Sequence, residues 1–307
     1  MRTIFRKELA DYFTSWRVFI LFMLVYGISA VGLWSAHQGI RGELTTEGFV
    51  FLKLFTTQGE MLPSLTTFIA FLVPWIGIAL GFDAINREYS SGTMSRVLSQ
   101  PVFRDGVING KFLAGIVTLS LMMFVTVLIV SGIGLSMIGV PPTPEEIIRI
   151  FIYLFFIIIY GSFWMGLAIL FSVITKRTAT SFLSSFALWL FFSIIIFLIA
   201  PAIASALAPV SVETEAAIIK NYQAQQAVLR FSPSYLFSEV TTVLLLPLVR
   251  SLGVVTMSQV ARMIPNPISL GQSLLLIWPH FTSLLSLTIV CFAASYVVFM
   301  RQEVRPS

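Results

Sequence analysis

Apolar positions gather along the chain in six long runs, roughly residues 18–36, 63–82, 112–139, 147–174, 181–207 and 279–300, each almost free of charge. A helix needs about 20 consecutive apolar residues to cross the hydrocarbon core of a bilayer. Each run meets that length, and backbone in lipid must satisfy its own hydrogen bonds within a helix or a closed barrel. The pattern therefore predicts an all-α membrane protein with six transmembrane helices, residues 1–307 forming one transmembrane domain. Polar positions collect in the segments before and between the runs, among them 1–17, 83–111 and 208–278.

The first of these carries its own pattern. Phe5, Leu9, Tyr12, Phe13 and Trp16 recur at helical spacing and draw one apolar stripe. Such a helix, fused to a span, lies flat in the inner interface as an elbow; a plain surface anchor would show the same stripe. Its charges are of both signs (Arg2, Arg6, Lys7, Glu8, Asp11, Arg17), unlike the acid-free start of a signal peptide, so the first run is expected to stay as a span. Segment 208–278 reads as an outer helical elaboration between spans 5 and 6. It holds an amphipathic helix near 211–230, a break at Ser232-Pro233-Ser234, and a short helical hairpin at or dipping into the outer leaflet. Residues 240–258 are apolar enough for a seventh span, but Arg250 at the centre would cost about 2.5–3.5 kcal/mol. Pro247 and Gly253 would also interrupt it.

Composition agrees: 57% of residues are hydrophobic and 11% charged, against about 45–50% and 25% in a soluble domain. The net charge of +5 is a matter of distribution. With the N-terminus inside, segments 1–17, 83–111, 175–180 and 301–307 hold 12 of the 19 basic and 6 of the 14 acidic residues. That is the positive-inside arrangement. It predicts a multi-pass protein of the cell membrane, in contact with lipid, with both termini cytoplasmic, and assigns the basic excess to orientation and not to nucleic acid. The single cysteine, Cys291, excludes an intramolecular disulfide and a Cys-rich metal site.

Catalytic patterns are absent from the sequence. Gly106-Val107-Ile108-Asn109-Gly110-Lys111-Phe112 looks like a phosphate loop, but it has three residues between the glycines where four are required, and Phe112 where a Ser or Thr must reach magnesium. His37 and His280 lie far apart with no metal-ligand spacing, and His280, after Trp278-Pro279, reads as a residue at the start of the last span. No catalytic or metal residue and no cofactor is predicted. The spans lack midspan charge, with Asp83, Glu146 and Arg149 at their ends, which disfavours an ion-coupled carrier. An intramembrane lipid-processing enzyme would have to use the outer acids Glu213, Glu215 and Glu239, which read as a solvated face without a histidine pattern. Gly77-x-x-x-Gly81 and Ser162-x-x-x-Gly166 suit close helix packing, within the chain or in a dimer. Trp75, Trp164 and Trp189 fall nearer midspan and read as core, with a substrate path as the other reading.

Segment 83–111 is the most specific. Gly92-Thr93 can break and cap a helix, Met94, Val97 and Leu98 share one apolar face, and Pro101 stops it. A short exposed helix with a Met-containing face suits docking in a partner's groove; a membrane-surface connector has the same composition. Asp83, Glu88, Gly92-Thr93, Leu98-Ser99-Gln100-Pro101, Arg104 and Gly110-Lys111 closely resemble the corresponding loop of ABC-2-type permeases, the membrane subunits of ATP-driven exporters. Arg6-Lys7-Glu8-Leu9, the stretch from Ser232 to Glu239, Ser269-Leu270-Gly271-Gln272-Ser273 and the ending Phe299-Met300-Arg301-Gln302-Glu303 are similar too. The resemblance implies a six-helix permease subunit with an elbow helix (Phe5, Leu9, Phe13, Trp16) and a cytoplasmic coupling helix between spans 2 and 3. It also implies pairing with a second permease, identical or related, and a separate ATPase subunit carrying ATP and magnesium. That ATPase would dock on Glu88, Gly92, Thr93, Met94, Val97, Leu98, Pro101 and Arg104, with Lys176-Arg177 as a second contact.

Overall fold

The computed structural model describes residues 1–42, 49–59, 62–90, 92, 103–175, 177–210, 214–253 and 266–302. Among them six helices are long and apolar enough to cross a membrane, and no strand occurs. In chain order, α1 (Arg2–Thr14) is separated by an extended Ser15 from α2 (Trp16–Gly42). The short α3 (Lys53–Thr56) precedes α4 (Leu65–Gly81) and α5 (Asn86–Ser90). Then come α6 (Arg104–Ile138), α7 (Pro144–Ile174) and α8 (Thr178–Leu190), the last continuing through a π-helical turn (Phe191–Ile195) into α9 (Ile196–Leu207). Two further helices, α10 (Glu215–Leu229) and α11 (Pro233–Leu245), lead to α12 (Leu270–Arg301).

Capping chemistry sets the boundaries. Thr143 and Glu146 form a reciprocal capping box with Pro144 in the first turn of α7, and Ser269 with Gln272 repeats the box at α12. Ser64 and Ser232 cap α4 and α11 with their hydroxyls. Gly139 closes α6 in the left-handed region, φ 74°, where a side chain would be strained. Two spans start about two helical turns before their apolar runs. The third begins at Arg104, where the Asp105 carboxylate accepts the Gly106 N–H. The sixth begins at Leu270, which overturns the reading of His280 as a helix-start residue: it lies buried within α12.

Helix α7 is the hub, packed against α4, α6, α8, α11 and α12. Trp164, Tyr153, Tyr160 and Arg149 on it are fully buried. The two small-residue motifs serve packing within the chain. A Cβ on Gly77 would stand 2.5 Å from the Gly161 carbonyl oxygen, and one on Gly81 2.6 Å from that of Met165, so α4 lies backbone to backbone with α7. Gly166, on the other side of α7, accepts a hydrogen bond from Ser295 of α12 through its carbonyl. Trp164 and Trp189 are core residues, and Trp75 packs beside Trp189 with ring centroids 4.9 Å apart.

In segment 208–278, α11 stops at Leu245, and the chain turns so that Ile268 N–H donates to the Pro247 carbonyl. Arg250 donates to the Asn266 carbonyl from Nε at 3.0 Å. The Ser232-Pro233-Ser234 break ties this region to the bundle. Ser232 Oγ donates to the Phe192 carbonyl inside the π turn at 2.6 Å, and Ser234 Oγ lies 2.7 Å from Ser193 Oγ and 2.9 Å from the Tyr160 hydroxyl. A π turn leaves carbonyls without their usual partner, and here a serine supplies one.

Candidate functional site

At the α1 end of the bundle, charged residues from three sequence-distant segments meet. Glu8 on α1 and Lys111 on α6 are both buried, with Lys111 Nζ 2.7 Å from Glu8 Oε1. The same ammonium lies 3.3 Å from Oε1 of Glu88 on α5. Lys7, more exposed, sits 3.5 Å from Glu88 Oε1, 3.6 Å from Glu8 Oε1 and 3.8 Å from Asp11 Oδ2. Its partial burial would lower its pKa, but Glu8, Glu88 and Asp11 outweigh that and hold it above the ordinary lysine value. A buried ammonium costs several kcal/mol of desolvation unless carboxylates face it, and here two do.

Further ties brace the same end. Arg17 Nη1 lies 2.6 Å from Asp83 Oδ2, and its guanidinium stacks 5.3 Å above the Phe82 ring. The Tyr12 hydroxyl donates to the Leu80 carbonyl at 2.9 Å; burial, with Glu8 and Asp83 nearby, pushes its pKa up. Ser172 Oγ, at the end of α7, accepts the N–H groups of Ile85 and Asn86. Arg104 Nη1 donates to the Gln302 carbonyl at 3.0 Å, and Gln302 Nε2 donates to the Val173 carbonyl at 2.7 Å. A cleft of about 540 Å³ opens between α1 and the end of α4, lined among others by Lys7, Asp11, Arg17, Asp83 and Glu88.

The candidate residues fall into three groups. Glu88 joins the buried charge node, Gly92 has φ 67° in the left-handed region, and Arg104 is tied to the end of α12. Thr93, Met94, Val97, Leu98 and Pro101, like Lys176, lie outside the described residues. Phe5 and Leu9 of α1 are half-buried, while Phe13 and, past the extended Ser15 at the first position of α2, Trp16 are exposed; the protein-facing side of α1 is Ile4, Glu8 and Tyr12. Burial of Glu8 was not visible in the apolar stripe. Its signal was an acid among bases in 1–17, matched by a lone lysine beside two glycines at the start of span 3.

The opposite end also holds buried charge, and one expectation fails there. Glu239 of α11 is 5% exposed and does not lie on a solvated face; its Oε2 is 2.6 Å from Nε2 of His280 and 3.1 Å from Arg230 Nε. Burial alone would raise its pKa, but hydrogen bonds from His280 and Arg230 outweigh this and hold the carboxyl below its ordinary value. Glu215 is exposed in the first turn of α10, and Glu213 lies outside the described residues. Arg149 is fully buried and donates to the carbonyls of Leu244 and Ile268 and to Ser273, gathering α7, α11 and α12. Among the described residues no group of three or more His, Cys, Asp or Glu side chains is placed to hold a metal.

Comparison with known proteins places the chain. Residues 2–304 match the family described as ABC-2 family transporter protein. The probable ABC transporter permease protein NosY of Pseudomonas aeruginosa is 27% identical over 193 residues, 62% of this chain and 66% of that protein. NosY of Stutzerimonas stutzeri is 29% identical over 143 residues, 44% of this chain and 48% of that protein. The chain thus spans just under two thirds of one relative's length and about half of the other's.

Proposed function

The chain belongs to the ABC-2 family of transporter proteins, and from that premise we propose that it is the permease subunit of an ATP-driven exporter in the cell membrane, with both termini cytoplasmic. As a transporter permease it is not itself an enzyme. Hydrolysis belongs to a separate ATPase subunit that supplies ATP and magnesium, docked on the loop between spans 2 and 3. Two permeases, identical or related, form the path between them.

The observation that supports this best is where the node lies. Glu88 and Gly92 flank the docking segment on one side and Arg104 on the other, and both flanks are anchored in the bundle. A pull on the segment passes into α1, α6, α7 and α12 through short polar contacts instead of dissipating in a loose loop. ATP-driven closure of the ATPases would move these helices and change access to the path.

The test is co-purification of the affinity-tagged chain with its co-expressed ATPase. Glu88→Lys and Met94→Asp should each reduce captured ATPase by about tenfold, a loss of about 1.4 kcal/mol, while insertion in the membrane is unchanged. A wild-type chain that captures no ATPase would sink the assignment.

A further inference from the structure

The stretch from Gly106 to Lys111 looks like a phosphate loop in sequence but is the opening of α6 in the fold, and α1 lies on it. A Cβ on Gly110 would stand 3.0 Å from Ile4 Cγ2 and 3.3 Å from the Phe5 backbone nitrogen; one on Gly106 would stand 3.2 Å from the Met1 nitrogen. Two glycines four residues apart thus form a seat that lets α1 approach the α6 backbone. One residue beyond the seat, buried Lys111 grips Glu8 at 2.7 Å. Helix α1 is joined covalently to α2, yet an extended Ser15 separates them and the main packing partner of α1 is α6.

We infer that α1 and the first turns of α6 form one rigid lever, seated on Gly106 and Gly110 and pinned by Lys111–Glu8, so that a displacement of the docking segment reaches the elbow through span 3. The inference rests on the docking assignment made above. The two contacts of Lys111 differ in tightness: Glu8 is at 2.7 Å and Glu88 at 3.3 Å, with Lys7 also 3.5 Å from Glu88. Glu88 Oε1 lies within reach of both ammonium groups, whereas the tighter contact of Lys111 is with Glu8. The ties from this region to α4 and the turn after it, Tyr12 to Leu80 and Arg17 to Asp83, are made beyond the seat, at the last turn of α1 and the first of α2. Replacing a whole buried charged set by apolar residues is often neutral or stabilising, so register, and not stability, is the role this inference gives the buried lysine. Lys111 is accordingly a positioning residue.

The experiment uses the full-length permease co-purified with its ATPase, in a Cys291→Ala background, with Mg-ATP hydrolysis as the readout. Lys111→Met should retain the bound ATPase but lower hydrolysis by about tenfold, within the usual range of coupling energies, and Lys111→Arg should restore most of it. In the pair Ile4→Cys/Gly110→Cys the two Cβ atoms would lie 3.3 Å apart, a little under the about 3.5–4.5 Å that a disulfide spans, so the bridge closes once α1 gives by a few tenths of an ångström. Its oxidation should leave hydrolysis within about twofold of the reduced pair and should rescue Lys111→Met, because a covalent tie replaces the pin. Blocked turnover on oxidation, or no rescue, overturns the lever. If wild type captures no ATPase, the docking assignment fails by itself. Disulfide closure in membranes without ATPase then still judges the seat: it should be rapid and slowed at least about fivefold by Lys111→Met, and unslowed closure overturns it.

Discussion

Lys111, Arg149 and Glu239 are the buried charges that matter most here, and each is satisfied in a different way: by two carboxylates, by the Glu145 carboxylate together with carbonyls and a hydroxyl, and by a histidine with an arginine. Glu239 yields a prediction with a definite sign. Its carboxyl is held below its unfolded value, so its contribution is present above about pH 4.3, the ordinary glutamate pKa, and is lost as pH falls through the lower folded value. Glu239→Gln should therefore destabilise the detergent-solubilised protein at pH 7, with the deficit holding down to about pH 4.3 and shrinking below it, toward about pH 3. Thermal unfolding of both proteins across that range measures it, and a constant deficit would remove the linkage. The exposed Arg230 adds a share that salt screens. None of this was legible beforehand, because residues 41 positions apart cannot be paired from spacing alone.

Among elements, the close contact of α4 with α7 is the one most sensitive to a single methyl group. At Gly77 the neighbours are the Gly161 carbonyl oxygen at 2.5 Å and the Met165 nitrogen at 3.0 Å, backbone atoms that cannot turn aside. Gly77→Ala should cost about 1–3 kcal/mol by overpacking. Gly27 on α2 has nothing within 4 Å of such a methyl, so Gly27→Ala should be neutral or stabilising by up to about 1 kcal/mol. Thermal stability of the two variants in one detergent checks the contrast, and equal effects would contradict the packing. The motif itself was readable; its partner was not, since a small-residue pair marks a face without saying what lies on it. The starts of α6 and α12 were missed for another reason. Hydropathy marks the part of a helix that meets lipid, whereas hydrogen bonding carries the helix on through Arg104–Lys111 and Leu270–Trp278.

For the molecule as a whole, six crossings place Arg2 and Arg301 on one side and α10 on the other. With the positive-inside distribution, single cysteines at Arg2 and Arg177 in the Cys291→Ala chain should resist a membrane-impermeant maleimide in intact cells, and one at Lys220 should react. The reverse pattern would invert the orientation and remove the docking segment from the cytoplasm. Segment 208–278 adds two helices and a braced turn to the far end, held by Arg149 and by the Ser232–Phe192 and Ser193–Ser234 contacts.

The linear pattern by itself determined the all-helical class, the six spans and the family, because lipid imposes a fixed length of apolar helix and the family's signature lies in contiguous stretches. Only the tertiary structure decided which charges meet. Glu8, Glu88 and Lys111 are separated by up to 103 positions, and Glu239 and His280 by 41. Their pairing depends on helices approaching closely enough, through Gly106 and Gly110 at one end and the packing of α11 on α12 at the other, to exclude water and bring opposite charges into contact.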